Sequence, residues 1–198
     1  MWRQPHLREI ARRGLELDLD AAKVRAGSAA LPRLPVLTAD QGGFALELWL
    51  RLTNLRPGQI VVDSRARPDG PGLAVSTSQH ATLELELTDG RNRTKWACDP
   101  GLLVPGRTHQ VVFNVDVAPR LITVMVDGVL CDGGDHAQFG YTRFGDVGLK
   151  PTGKELGDIN AGPLRVLPAG AAGEVQRLRF YDRYLTTTEM VGNYRAGP

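Results

Sequence analysis

The stretch from Gln110 to Gly134 leaves this chain the fewest choices. Val111, Phe113 and Val115 fall on one face of an extended run, and after a turn at Pro119 so do Ile122, Val124 and Val126. Side chains two residues apart share a face only in a strand, so this period marks two half-buried strands and not a helix. Asp127-Gly128, flanked by apolar residues, has the composition of a tight hairpin turn and sends the chain back once more. The stretch reads as an antiparallel meander, with residues 173–190 near the C-terminus expected as its mate.

A meander with one apolar face needs a second layer to cover it. The 198 residues, 42% of them hydrophobic, suffice for one such core, and a single domain is expected. Acidic and basic residues nearly balance, at a formal net charge of +2, and are spread throughout. The basic stripe that a phosphate backbone requires is therefore missing, and nucleic acid is not an expected partner. No apolar run approaches the roughly 20 residues that span a bilayer, and Met1-Trp2-Arg3-Gln4 does not open a signal peptide. The chain reads as soluble, with no membrane partner.

Residues 6–13 carry Leu7, Ile10 and Ala11 at helical spacing with Gly14 as a stop, so 1–13 is expected as a cap or linker segment with a short helix. The domain proper is expected over 14–198. Leu15-Glu16-Leu17-Asp18-Leu19-Asp20 alternates strictly, three leucines on one face and three carboxylates on the other, and reads as the opening strand. Residues 21–43 read as a long connection. In 44–52, Phe44, Leu46, Leu48, Leu50 and Leu52 face inward, while Ala45, Glu47, Trp49 and Arg51 take the reverse face. Shorter strands are expected at 59–64, 72–76 and 81–88. A Gly-rich passage from 133 to 173 is expected to hold brief strands, with apolar runs at 146–149 and 164–167. A last strand at 175–181 precedes Thr186-Thr187-Thr188-Glu189, a capping box that starts a helical turn carrying Met190 and Tyr194. The pattern as a whole is all-β: two packed antiparallel sheets with short terminal helical segments.

Four pieces in order resemble one family. Phe44-Ala45-Leu46-Glu47-Leu48-Trp49-Leu50-Arg51-Leu52 is similar to the F-x-L-x-x-W-h-x-h strand, with h apolar, of laminin-G-like, concanavalin A-like jelly rolls. Leu103-Val104-Pro105-Gly106-Arg107-Thr108-His109 resembles that family's L-x-x-G-x-W-H turn, with Thr108 in place of the Trp. Val124-Met125-Val126-Asp127-Gly128 resembles its h-Y-V-D-G turn, and Arg177-Leu178-Arg179-Phe180-Tyr181-Asp182-Arg183-Tyr184-Leu185-Thr186-Thr187-Thr188-Glu189-Met190 its closing h-R-h-Y-x-R-x-L-S-x-x-E-h. The resemblance runs over about 14–195. It implies a jelly-roll β-sandwich, and a non-catalytic carbohydrate-binding, lectin-like module attached to a secreted glycan-active enzyme. The expected partners are a glycan or polysaccharide and an adjoining catalytic domain, in an extracellular setting. The same fold also serves as a structural or protein-interaction domain without a sugar ligand, which is the alternative reading.

Cys98 and Cys131 each sit at a strand end beside a turn, where a disulfide distorts no ladder. Joined, they close a loop of about 33 residues worth roughly 4 kcal/mol in the chain-entropy model; the alternative is two free thiols. A sugar site needs an aromatic face and nearby planar polar groups. Such groups stand in two loops, 89–96 and 132–144. A bridge at their bases would bring Trp96 and Arg93 of the first towards Asp132, Asp135, His136 and Tyr141 of the second, with Arg65 on the rim. The competing expectation is that Trp96, Phe139 and Phe144 pack beneath their own loops. Trp49 either floors a groove or lies buried beneath a neighbouring segment.

Two further readings complete the set. Glu16-x-Asp18-x-Asp20 resembles the E-x-D-x-E strand of laminarinases and lichenases, which would make the chain a glycoside hydrolase. Its terminal Asp, its place on the opening strand and the lack of clustered Trp favour an acidic edge that discourages strand pairing. A structural calcium is conceivable at Asp18, Asp20 and Asp182 if the first and last strands pair. The four histidines show no zinc spacing, and no serine-hydrolase or phosphate-binding motif occurs.

Overall fold

A computed structural model describes residues 8–26, 29–30, 42–144, 159, 162–167 and 171–198. In chain order the elements are β1 (Leu15–Asp20), α1 (Ala21–Arg25), β2 (Gly43–Leu52), β3 (Ile60–Asp63), β4 (Gly72–Thr77), β5 (Leu83–Thr88) and β6 (Arg93–Ala97). They continue with β7 (His109–Asp116), β8 (Leu121–Val126), β9 (Val129–Leu130), β10 (Tyr141–Arg143), β11 (Arg165–Val166), β12 (Gly173–Tyr181) and α2 (Thr187–Ala196). They form two antiparallel sheets, a β-sandwich of the expected jelly-roll class. One runs β1-β12-β2-β7-β8-β10, with β9 also pairing β8, and the other runs β11-β3-β4-β5-β6.

The meander is β7, β8 and β9, joined by the turn at Asp127-Gly128. Its neighbour is β2, and the C-terminal strand β12 pairs with the opposite edge of β2. The expected direct pairing of meander and C-terminal strand is thus corrected: ten-residue β2 is buried on both faces almost throughout and takes the centre. Along one row, Phe180, Leu46, Phe113 and Val124 stand side by side on β12, β2, β7 and β8. They meet Leu73, Val75, Leu83, Leu85 and Leu87 of the other sheet in one core. Each such side chain contributes about 1.5–3 kcal/mol when fully buried.

The outer face of the first sheet is covered as well. Ala45, Val112, Met125, Tyr181, Leu185 and Met190 form a second apolar cluster beneath α2. That helix starts with the expected capping box: the Thr186 hydroxyl accepts from Glu189 N, and Thr186 N donates to the Glu189 carboxylate at 2.9 Å. Trp49 is buried there, its ring 6.0 Å from that of Tyr194 and nearly parallel to it, so it floors no open groove.

Three local expectations need correction. Among the described residues 8–13 there is no α-helix; Ala11 N donates to Asn193 Oδ1 at 2.7 Å, which docks this segment on α2. In β1 the register slips between Leu15 and Leu17, so Leu15 packs on the outer cluster while Leu17 and Leu19 reach the inner core. The 21–43 connection opens with α1, because the Asp20 carboxylate accepts from Lys23 N and caps a helix there. The apolar run at 146–149 lies outside the described residues, while the one at 164–167 includes β11.

Candidate ligand-binding site

The candidate site lies where the end of β6 meets the loop that follows β9. Residues 89–96, expected as a loop, are a tight turn and an edge strand. Asp89 Oδ1 accepts from the backbone N–H of Arg91 and Asn92, and β6 then pairs β5 in register. Alternation along β6 sets Trp96 opposite Leu85 and Lys95 opposite Glu86. Trp96 therefore packs partly against the core, and its indole N–H is buried with no hydrogen-bond partner among the described residues. Lys95, on the other face, donates to Glu84 at 2.9 Å and stands 3.2 Å from Glu86. The Glu84 hydrogen bond raises the Lys95 ammonium above its ordinary range, so it stays charged.

Beyond β6, Cys98 N donates to Leu83 O and Cys131 N to Val124 O, which brings the two cysteines together at the strand ends. In this structure they stand as two free thiols, without the expected bridge. The thiols share a hydrogen bond: burial raises Cys98, while donation from Cys98 lowers Cys131. A carboxylate also ties the loop bases. Asp99 accepts from Asp132 N at 2.9 Å and Gly133 N at 3.1 Å. The loop is tightly wound: His136 N and Ala137 N both donate to Gly133 O, and at Gly133, with φ of 97°, a Cβ would lie 2.7 Å from Ala137 O.

Between β6, the Ser78–Ala81 turn and this loop opens a cleft of about 200 Å³. His80, Glu84, Lys95, Trp96, Asp99 and His136 contribute to its lining, with Cys98 in its wall. Of the expected residues, Trp96 and His136 thus meet. Asp132 and Asp135 are exposed on the same loop but do not line the cleft. Tyr141, on β10 opposite Thr123, stacks on exposed Phe139 at 5.4 Å and not on Trp96. Phe144 is buried in the core.

Arg65 is not a rim residue. Its Nε donates to Asp63 at 3.0 Å and its Nη1 to Glu86 at 2.6 Å, all three side chains being about nine-tenths buried. Two carboxylates on β3 and β5, on either side of Ala74 of β4 and out of water, need a forked cation between them. Arg93 is exposed, 3.2 Å from Asp69 and 3.8 Å from Glu86, and stands apart from the cleft. Sequence reasoning missed His80, Glu84, Lys95 and Asp99. The Glu84-x-Glu86 alternation facing Arg93-x-Lys95 carried a signal for the charged pair; nothing in the chain linked His80 to His136.

On β1, Asp18 and Asp20 are engaged within the fold, while Glu16 is exposed. β1 and β12 pair as expected, and Asp18 receives Arg177 in a two-pronged contact at 2.5 and 2.6 Å, with Arg179 at 3.4 Å. Burial alone would raise the Asp18 carboxyl, but the two guanidinium groups more than offset it and hold it below the usual range. Asp20 caps α1, and its Lys23 N–H contact likewise lowers its carboxyl. Asp18 is thus engaged through both of its oxygens, and Asp20 through one. Among the described residues no cluster of three His, Cys, Asp or Glu is arranged to hold a metal.

A family model described as the concanavalin A-like lectin/glucanases superfamily matches residues 25–190. No curated protein matches the chain. Among solved structures, the carbohydrate-binding module CBM40 of a Ruminococcus gnavus IT-sialidase superposes with a TM-score of 0.56 at 11% identity, covering 90% of this chain and 98% of that one. The same module is solved bound to α2,3-sialyllactose. The botulinum neurotoxin serotype D binding domain gives a TM-score of 0.57 at 9% identity over 79% of this chain; the match covers 37% of that chain. A heptameric SAP-like pentraxin from Limulus polyphemus gives 0.51 at 14% identity over 85% of this chain and 75% of that one. At these identities the likeness concerns the fold.

Proposed function

The chain belongs to the concanavalin A-like lectin/glucanase superfamily, and from that premise we propose that it is a non-catalytic glycan-binding module whose site is the Trp96 cleft. The observation that carries the proposal is the meeting of an aromatic wall with planar polar groups. Trp96, Glu84, Lys95 and His136 line one cleft of about 200 Å³, with Glu84 and Lys95 hydrogen-bonded to each other. The volume lies below the roughly 300–1,000 Å³ of drug-sized ligand sites and suits a single sugar ring with its neighbour left in solvent. Solved modules of the same fold include one bound to sialyllactose, which supports a glycan as the class of ligand.

The lining argues for binding without turnover. A glycosidase sets a protonated carboxylic acid against a carboxylate across the bond it breaks. In this cleft Glu84 accepts from the Lys95 ammonium and Asp99 accepts two backbone N–H groups, so both carboxylates are engaged by partners within the protein and are not set as a facing pair across an open gap. Weak affinity per site is enough for a module that keeps an attached enzyme on a polymer, and a secreted, accessory role follows from that reading.

Affinity electrophoresis through gels containing polysaccharides, with an array of sialylated and neutral oligosaccharides, tests the proposal. Retention on at least one glycan, lost in Trp96→Ala and kept in Arg91→Ala on the exposed far turn, is the expected result. Uniform absence of retention leaves a structural or protein-interaction domain as the better reading, and retention unaffected by Trp96→Ala overturns the Trp96 cleft as the site.

A further inference from the structure

His80 and His136 are fifty-six residues apart in the chain, yet their ring centroids lie 5.4 Å apart with the planes tilted by 41°. Both rings are exposed and both line the cleft. Each is carried on a tight turn: His80 N donates to Ser78 Oγ at 3.1 Å, and His136 N donates to Gly133 O at 3.1 Å. The two rings are thus presented towards one another from different sheets by short, internally bonded segments.

From this pair we infer a divalent transition-metal site, in which His80 and His136 chelate a cation of the zinc, nickel or copper type. The geometry supports it. Two imidazole nitrogens at about 2.0–2.1 Å from one ion, at angles between square and tetrahedral, place their ring centroids about 4.5–5.2 Å apart. The observed centroid separation of 5.4 Å lies a few tenths of an ångström beyond that range, and rings carried on exposed side chains can rotate to aim a nitrogen each at a shared ion. Imidazole is a preferred donor for these ions and a poor one for calcium or magnesium. No third His, Cys, Asp or Glu joins the pair among the described residues, so water completes the coordination shell. Binding is correspondingly modest, and it fastens the Ser78–Ala81 turn to the loop after β9 across the cleft. The site does not depend on glycan binding: either property can fail while the other stands.

Cobalt(II) and zinc(II) titrations of the untagged chain under reducing conditions test it, followed by isothermal calorimetry and by the cobalt absorption spectrum. One equivalent of metal is expected, with affinity falling at least tenfold in His80→Gln and in His136→Gln alone. The metal-free melting temperature should stay unchanged in both, because the rings are exposed. Absence of binding by the wild type overturns the site. So does a thiolate-to-cobalt charge-transfer band, which would assign the metal to Cys98 and Cys131, or affinity unchanged in either variant. Should a variant fail to fold, selective broadening of the His80 and His136 ring resonances by sub-stoichiometric copper(II) in the wild type decides; broadening of other histidines instead overturns it.

Discussion

Arg179 Nη1 donates to Glu47 Oε1 at 2.8 Å, and both side chains are wholly excluded from water. Glu47 also accepts from Trp49 Nε1, Gln110 Nε2 and Asn193 Nδ2, so one carboxylate joins β2, β7, β12 and α2. Such a pair adds little over an apolar replacement of both partners, but removal of one leaves a buried charge uncompensated. Glu47→Leu is expected to cost about 3–5 kcal/mol by urea denaturation. The double variant Glu47→Leu/Arg179→Met should recover a substantial part of that loss, and strict additivity of the two single effects would refute the coupling.

The loop that walls the cleft is held by backbone contact at Gly140. A Cβ there would lie 2.2 Å from Cys131 O and 2.6 Å from Asp132 Cα, and neither atom can yield without the loop opening. Gly140→Ala is therefore expected to lose about 1–3 kcal/mol and to weaken glycan retention. Gly134, with φ of 49° and nothing within 4 Å of an added Cβ, provides the comparison. Gly134→Ala should cost about 1 kcal/mol for the left-handed backbone and leave retention unchanged. Equal retention in both variants would separate the loop from the site.

The contrast between these two networks shows what could be read in the chain beforehand. Alternating apolar residues announced β2, β7, β8 and β12, and Thr186–Glu189 announced α2, because period and capping are local properties. The Arg93-Thr94-Lys95 run of β6 hid its strand: charged residues suit an exposed edge yet look like loop. Leu15 misled because one bulge turns a side chain to the opposite face. Arg65 and Glu47 were visible as charges, but burial depends on what the fold lays over them. The His80–His136 approach is a product of tertiary structure alone.

Acid should weaken the docking of α2. Arg183 holds the Glu189 carboxyl down to about 2, from an ordinary 4.5, and Asp18 is lowered from 3.8 by its arginines despite burial. A depressed folded-state pKa adds stability that is complete above the unfolded value and is lost as pH falls through the folded one. Urea midpoints are therefore expected to fall between about pH 5 and pH 2. Glu189→Gln keeps an acceptor for Thr186 N but loses the ion pair, so it should be slightly less stable at pH 7, by about 1 kcal/mol or less, and less sensitive to acid. An unaltered pH profile in that variant would place the acid sensitivity elsewhere.

The juxtaposed thiols predict an oxidised form of the chain. Cys131 is the more acidic member, since Cys98 donates to it, and it supplies the attacking thiolate. Towards glutathione disulfide, Cys131 forms a mixed disulfide and releases one glutathione. Cys98 then displaces the second, leaving an intramolecular bridge and two reduced glutathione molecules. Both cysteines are buried, so the reaction waits on local opening of the loop and should be slow. The product closes about 33 residues, is about 2 Da lighter by intact mass, and gains up to about 4 kcal/mol in the chain-entropy model. Thermal unfolding of reduced and oxidised samples checks it. A bridged chain that melts lower than the dithiol would mean that the sulfur geometry is strained, and that the pair is suited to remain reduced.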